Sequence, residues 1–188
     1  MAQVRSFIAI EISKEAKNEI SRIINILKDN SNGIKWVNPE NLHLTIKFLG
    51  SIPEDHIAEI SEKIKKTVLN IPKFIISLGM LGAFPSWRSP RVVYIDLKAG
   101  GEKVKHLVEK IENAMEKIGF EREKRIFSPH IAVGRVKNMK NMKNFSQQVV
   151  KNMVNSTQMS INSVFLKKSI LMSDGPIYST LYESILKN

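Results

Sequence analysis

The 188-residue chain contains no cysteine, which excludes disulfides and thiolate metal sites and leaves the redox compartment open. It has no apolar run near the roughly 18 to 20 residues that cross a bilayer, so no membrane segment is expected. Its start, Met1-Ala2-Gln3-Val4-Arg5, lacks the charged, apolar and small-residue order of a signal peptide and runs directly into a strand-like segment. A soluble cytoplasmic protein is the expectation. Histidine is scarce, with four in all, and His56 and His106 fall in Lys/Glu-rich helical stretches without ligand spacing. No metal site and no cofactor is expected. Acidic residues number 18 against 29 basic ones, a net charge of +11. Such a surface concentrates polyanions, although a coding bias toward Lys, Ile and Asn would leave the same signature.

What is present suits a globular protein: 43% hydrophobic and 25% charged residues, in a chain long enough to bury a core. Phe7 to Glu11 reads as a strand, and Ser13 opens a helix with Ile20, Ile23, Ile24 and Leu27 on one side. Asn30-Ser31-Asn32-Gly33 breaks that helix. A strand from Leu42 to Leu49, ended by Gly50, precedes a helix from about Pro53 to Leu69. Strands over Ile71 to Leu81 and Arg91 to Leu97 flank a loop containing Phe84, Trp87 and Arg88. Gly101 to Gly119 reads as an amphipathic helix, and Pro129 to Val136 as a strand. The polar stretch from Lys137 to Asn155 reads as partly helical. Ser160 to Met172 and Ile177 to Leu186 close the chain as strands around Ser173-Asp174-Gly175-Pro176, a turn sequence. The order suggests an α+β fold of two similar halves, with antiparallel sheets facing a central cleft and helices outside, in one two-lobed domain over residues 1–188.

Two short segments carry the chemistry. His43-Leu44-Thr45-Ile46 and His130-Ile131-Ala132-Val133 each open an apolar-alternating strand with a histidine. In a regular strand His43, Thr45 and Lys47 share a face, while Leu42, Leu44, Ile46 and Phe48 take the other. His130 likewise shares a face with Ala132 and Gly134, small residues that leave room for a ligand. Imidazole titrates near neutral pH, so two rings on one cleft suit acid and base roles at a phosphodiester. Nearby hydroxyls and N–H groups would hold the non-bridging oxygens. A histidine opening a strand can equally be a packed or surface residue, and periodicity alone does not separate the two.

More specific are Phe7-Ile8-Ala9-Ile10, the run from Asn41 to Gly50 (NLHLTIKFLG), and Ser128 to Arg135 (SPHIAVGR). Together with Lys168-Ser169 and Gly175-Pro176-Ile177-Tyr178, they resemble the 2H phosphoesterase superfamily, in its RNA 2′,3′-cyclic phosphodiesterase branch, historically called 2′-5′ RNA ligase. The resemblance implies a two-lobed α+β fold and hydrolysis of a 2′,3′-cyclic phosphate to a 2′-phosphomonoester without a metal. It implies that His43 donates a proton to the leaving ribose oxygen, that His130 activates water, and that Thr45 binds a phosphate oxygen. Ala132 stands where the family has threonine, so one hydroxyl is missing; Ser128 has the parity to supply another. Arg135 matches an arginine that often follows the motif and is a candidate for substrate contact; in a regular strand it faces away from His130, and it reaches the cleft only where the strand ends or bulges. The implied partners are RNA with 2′,3′-cyclic phosphate ends or cyclic nucleotides, acted on by a monomer. Reversible 2′-5′ RNA ligation is a second reading. A third is an RNA-binding protein with weakened catalysis.

Overall fold

The protein is described from a computed structural model, over residues 2–29, 33–138, 154–173 and 175–188. Asn30 to Asn32 of the expected helix break, most of the expected helical stretch after Lys137, and Asp174 of the expected turn lie outside those residues. Within them, nine strands and three helices follow the order β1 (Gln3–Glu11), α1 (Lys14–Lys28), β2 (Ile34–Trp36), β3 (His43–Pro53), α2 (His56–Val68), β4 (Phe74–Phe84) and β5 (Val92–Ala99). The chain continues with α3 (Gly101–Glu116), β6 (His130–Val136), β7 (Gln158–Ile161), β8 (Ser163–Met172) and β9 (Gly175–Ile185). Ser13 caps α1 as its position suggests, its hydroxyl accepting from the Ala16 N–H at 3.2 Å.

The pairing path is β7-β4-β5-β6-β3-β1-β8-β9, with β2 attached to β6, and the pairings between strands are antiparallel. The two halves expected from the sequence are both there, and they are joined edge to edge. Their joint is the pair Leu44–Ile131 between β3 and β6. Both side chains are fully buried, and they belong to the core that the helices cover, with Ile20 and Ile23 of α1, Ile60 and Ile64 of α2, and Leu107 and Ile111 of α3. Side chains flanking Leu44 and Ile131 therefore point to the other, concave face.

The strands carry irregularities that strict alternation does not anticipate. Between Ala9–Thr45 and Ile8–Lys47 the register leaves Ile46 unpaired. Between Tyr94–Ala132 and Val93–Gly134 it leaves Val133 unpaired. Each is a β-bulge three residues after a motif histidine, and each reverses the facing of the residues that follow it. Lys47 is thereby turned into the helix layer. It is 6% exposed, with Nζ 2.7 Å from Glu112 Oε2 on α3 and 2.7 Å from the Glu121 carbonyl. The expectation that Lys47 shares the His43 face is overturned. Phe48 moves the opposite way and is 70% exposed. Gly50 does not end the strand; it takes a positive φ of 76° beside a further register shift, and β3 continues to Pro53. At Gly134, the counterpart of Lys47, a Cβ would come within 2.7 Å of Ile34 Cγ2 and 3.0 Å of the Trp36 ring. That crowding explains why β2, a strand too short to stand out in sequence, can cover this position.

Candidate active site

Both motif histidines lie on the concave face, next to the Leu44–Ile131 joint, and both are half-buried. His43 Nδ1 is 2.7 Å from the Asn41 carbonyl, and His130 Nδ1 is 2.7 Å from the Ser128 carbonyl. A carbonyl only accepts, so each Nδ1 carries a hydrogen. Each Nε2 is left to take up or release a proton. The same contact to the residue two places back occurs twice because the two motifs are the same local structure.

Aromatic rings wall each imidazole. Phe7 lies 4.9 Å from the His43 ring, and Tyr178 meets it edge-on at 5.2 Å. On the other side Phe84 lies 4.9 Å and Tyr94 5.5 Å from the His130 ring. Phe84 also stacks on Tyr94 at 4.2 Å, so of the loop residues noted in sequence it is committed to supporting His130. Trp87 packs against the core and Arg88 is exposed. Asn41 Nδ2 donates to the Pro176 carbonyl at 2.7 Å, which ties the entrance of β3 to the β8–β9 hairpin carrying Tyr178.

Each histidine also has a carboxylate as its cross-strand partner: Glu11 opposite His43 and Asp96 opposite His130. Glu11 Oε1 accepts from Lys167 Nζ. Asp96 Oδ1 accepts from the Met80 N–H. The pKa of His43 lies below the ordinary imidazole value, chiefly because burial disfavours its charged form. The Asn41 carbonyl opposes that shift, the Lys167 cation adds to it, and the Glu11 carboxylate opposes it.

Thr45 and Ala132 lie two residues past their histidines, before the bulges, and remain on the concave face. Arg135 is a correction to strict alternation. Beyond the Val133 bulge it pairs with Val92, which shares the face of Tyr94, so it joins His130 on the concave side. Its charge, with that of Arg5, works against the burial that raises the Tyr178 pKa. Ser128 lies before β6 and is exposed, and its contact with His130 is through the backbone carbonyl.

Two features were not read from the sequence. Phe48 occupies in β3 the place Arg135 occupies in β6, five residues after the histidine and beyond the bulge. Its exposed ring is backed by Phe7 at 6.2 Å. The Glu11–Lys167 pair lines a small pocket beside His43 together with Lys17, Glu40, Asn41 and Tyr178. The cross-strand position of Glu11 becomes visible only once the β1–β3 register is known. Among the described residues no group of three His, Cys, Asp or Glu side chains is placed to hold a metal ion, and no helix is long and apolar enough to cross a membrane.

A family model described as LigT like phosphoesterase matches residues 10–94 of the chain. A protein of Archaeoglobus fulgidus named RNA 2′,3′-cyclic phosphodiesterase is 36% identical over 180 residues, covering 95% of this chain and 98% of that protein. One of Thermotoga maritima with the same name is 33% identical over 181 residues, covering 96% and 94%. Among solved structures, TT0787 of Thermus thermophilus superposes with a TM-score of 0.84 at 23% identity over 98% of both chains. Escherichia coli LigT, solved with 3′-AMP, gives a TM-score of 0.79 at 20% identity over the full length of both. At those identities the two structures speak for the fold.

Proposed function

The chain belongs to the LigT-like phosphoesterase family, and from that premise we propose that it opens 2′,3′-cyclic phosphates at RNA ends, or on nucleotides, to 2′-phosphomonoesters. It does so as a single-domain monomer, without a metal, by acid and base chemistry at two histidines. The phosphoesterase class comes from the family. The substrate reading draws on the names of the relatives, and the mechanism on the geometry of the concave face.

In this reading His130 Nε2 takes a proton from water as the water oxygen bonds to phosphorus. The bond from phosphorus to the ribose 3′-oxygen breaks, and protonated His43 delivers its Nε2 proton to that oxygen. The product carries a 2′-phosphate and a free 3′-hydroxyl, and one further proton exchange with solvent resets both rings. Negative charge builds on the non-bridging oxygens, where the Thr45 hydroxyl and the Arg135 guanidinium supply donors. The absence of a side-chain hydroxyl at Ala132 leaves room for water. Ser128 adds a further polar group at the edge. Phe48 offers a flat exposed face on which the base of the terminal nucleotide can stack.

The observation that carries the reading is the matched pair of Nδ1–carbonyl contacts, which fixes the same tautomer and leaves the same reactive nitrogen at both histidines. The test is a product assay on a 2′,3′-cyclic nucleotide and on an RNA ending in one, with and without chelator. Chelator-resistant release of a 2′-phosphomonoester by the wild type, lost in His43→Ala and His130→Ala, is expected. Release of a 3′-phosphomonoester, or turnover restored only by added metal, contradicts it. Ala132 is the observation favouring a binding protein with weakened chemistry, and salt-sensitive RNA binding without turnover, indifferent to both histidine substitutions, would establish that instead.

A further inference from the structure

Glu11 and His43 are register partners on adjacent antiparallel strands, so their side chains leave the sheet on the same face. Lys167 arrives on that face from β8, where it pairs with Phe7. The side chain of Lys167 is 11% exposed and that of Glu11 44%. Lys167 Nζ donates to Glu11 Oε1 and lies 5.6 Å from the centre of the Phe165 ring. Both line the pocket that contains His43. A lysine held this far from water needs its carboxylate, so the ion pair is a fixed dipole set against the imidazole. We infer that the Glu11–Lys167 pair is a positioning device for the acid step, holding two opposite charges in the pocket of the ring that delivers the proton.

The other groups facing the ring leave this role to the pair. Lys17 of α1 and Glu40 pair with each other at 3.4 Å on the outer wall of the pocket. Tyr178 of β9 is uncharged at neutral pH, its hydroxyl held above the ordinary range by burial. Arg135 and Arg5 act at Tyr178 from the concave side. Lys167 strengthens the lowering that burial begins at His43, and Glu11 counters it, the cation having the larger influence. On the other half of the site the equivalent carboxylate, Asp96, is engaged by the Met80 N–H of a neighbouring strand, and among the described residues no cation pairs with it. In the proposed chemistry the histidine that must be charged before the reaction thus sits beside an ion pair.

The inference rests on His43 being the proton donor, and its test separates the two claims. Lys167→Met keeps the length of the stem and removes the cation; Glu11→Gln keeps the shape and removes the anion. The His43 ring is followed by NMR across pH in each variant, and kcat/KM on a 2′,3′-cyclic nucleotide is compared at pH 8.5 and pH 5. For a required acid, kcat/KM at alkaline pH follows the fraction still protonated, so the 8.5-to-5 ratio rises about threefold or more in Lys167→Met and falls by a similar factor in Glu11→Gln. The ring titration moves up in the first and down in the second. Glu11→Gln, at a partly exposed position, carries the test alone should Lys167→Met fold poorly. A titration that stays put, or moves the same way in both, overturns the role of the pair; if turnover still disappears in His43→Ala, the proposed chemistry stands without it. Turnover that survives His43→Ala overturns the chemistry, and the pair's part in it.

Discussion

The His43 and His130 strands begin alike and diverge at the residues after their histidines. Both rings donate to the carbonyl two places back, both are walled by a phenylalanine and a tyrosine, and both strands bulge at the third residue beyond. Past that point the His43 strand offers Thr45, buries Lys47 and presents Phe48, whereas the His130 strand offers Ala132, fits Gly134 under Trp36 and presents Arg135. A repeated scaffold has been given two different sets of side chains. The first half offers a hydroxyl, an exposed aromatic ring and an ion pair beside its histidine, and the second a methyl group and a guanidinium.

The largest effect expected from disturbing this comparison lies in the helix layer. Lys47 and Glu112 are nearly fully buried at 2.7 Å, and the same lysine holds the Glu121 carbonyl in the segment leading to His130. Glu112→Ala leaves a buried ammonium with half its partners, and about 3 to 5 kcal/mol of stability should be lost. Denaturant unfolding measures it, and a midpoint close to wild type would show that the two halves are not clamped through this lysine.

Arg135→Ala comes next. A charge-assisted contact to phosphate oxygens is worth about 1.5 to 3 kcal/mol, so kcat/KM should fall by about 10- to 150-fold. An unchanged value would place the arginine away from the substrate despite the bulge. Ala132→Thr sharpens the comparison in the opposite sense, since it gives the second motif the hydroxyl of the first. A rise of about tenfold in kcat is expected, and no rise would mean that water already serves there. Phe48→Ala is the smallest: one lost stacking contact, about 1 kcal/mol, seen mainly as a higher KM. Equal KM values for the variant and the wild type would rule the ring out as a base platform.

The pH behaviour of the halves adds a direct check. Burial depresses the His43 pKa in the folded protein, so the unfolded chain protonates first on acidification. The stability His43 contributes as a neutral ring is present above about pH 6.5 and is lost as pH falls from there through its folded value. An NMR titration of His43 should find its midpoint below that of an ordinary imidazole, and a midpoint above it would contradict the burial argument.

Much of this was legible before the structure. The histidine strands, the Ser13 cap, the helix faces and the resemblance carried by NLHLTIKFLG and SPHIAVGR all lie in local sequence. What could not be read there is pairing. A bulge is an extra residue relative to a partner strand, and one strand read alone gives no sign of it. A period-two reading therefore puts Lys47 on the face of His43 and Phe48 on the opposite one, the reverse of what the register gives, and it leaves Arg135 dependent on a bulge that the strand alone does not reveal. Gly50 reads as a stop because glycine marks turns as well as bulges within strands. The edge-to-edge joint at Leu44–Ile131 and the opposition of Glu11 to His43 are likewise properties of register, which no single segment contains.

The central claim is that two imidazoles on one concave face act on one phosphorus. The most direct measurement is the rate of 2′,3′-cyclic phosphate opening by His43→Ala and His130→Ala, each confirmed folded, against wild type. Each should lose at least about 100-fold, the scale of a missing general acid or base. A rate within a few-fold of wild type in either variant would contradict the two-histidine account.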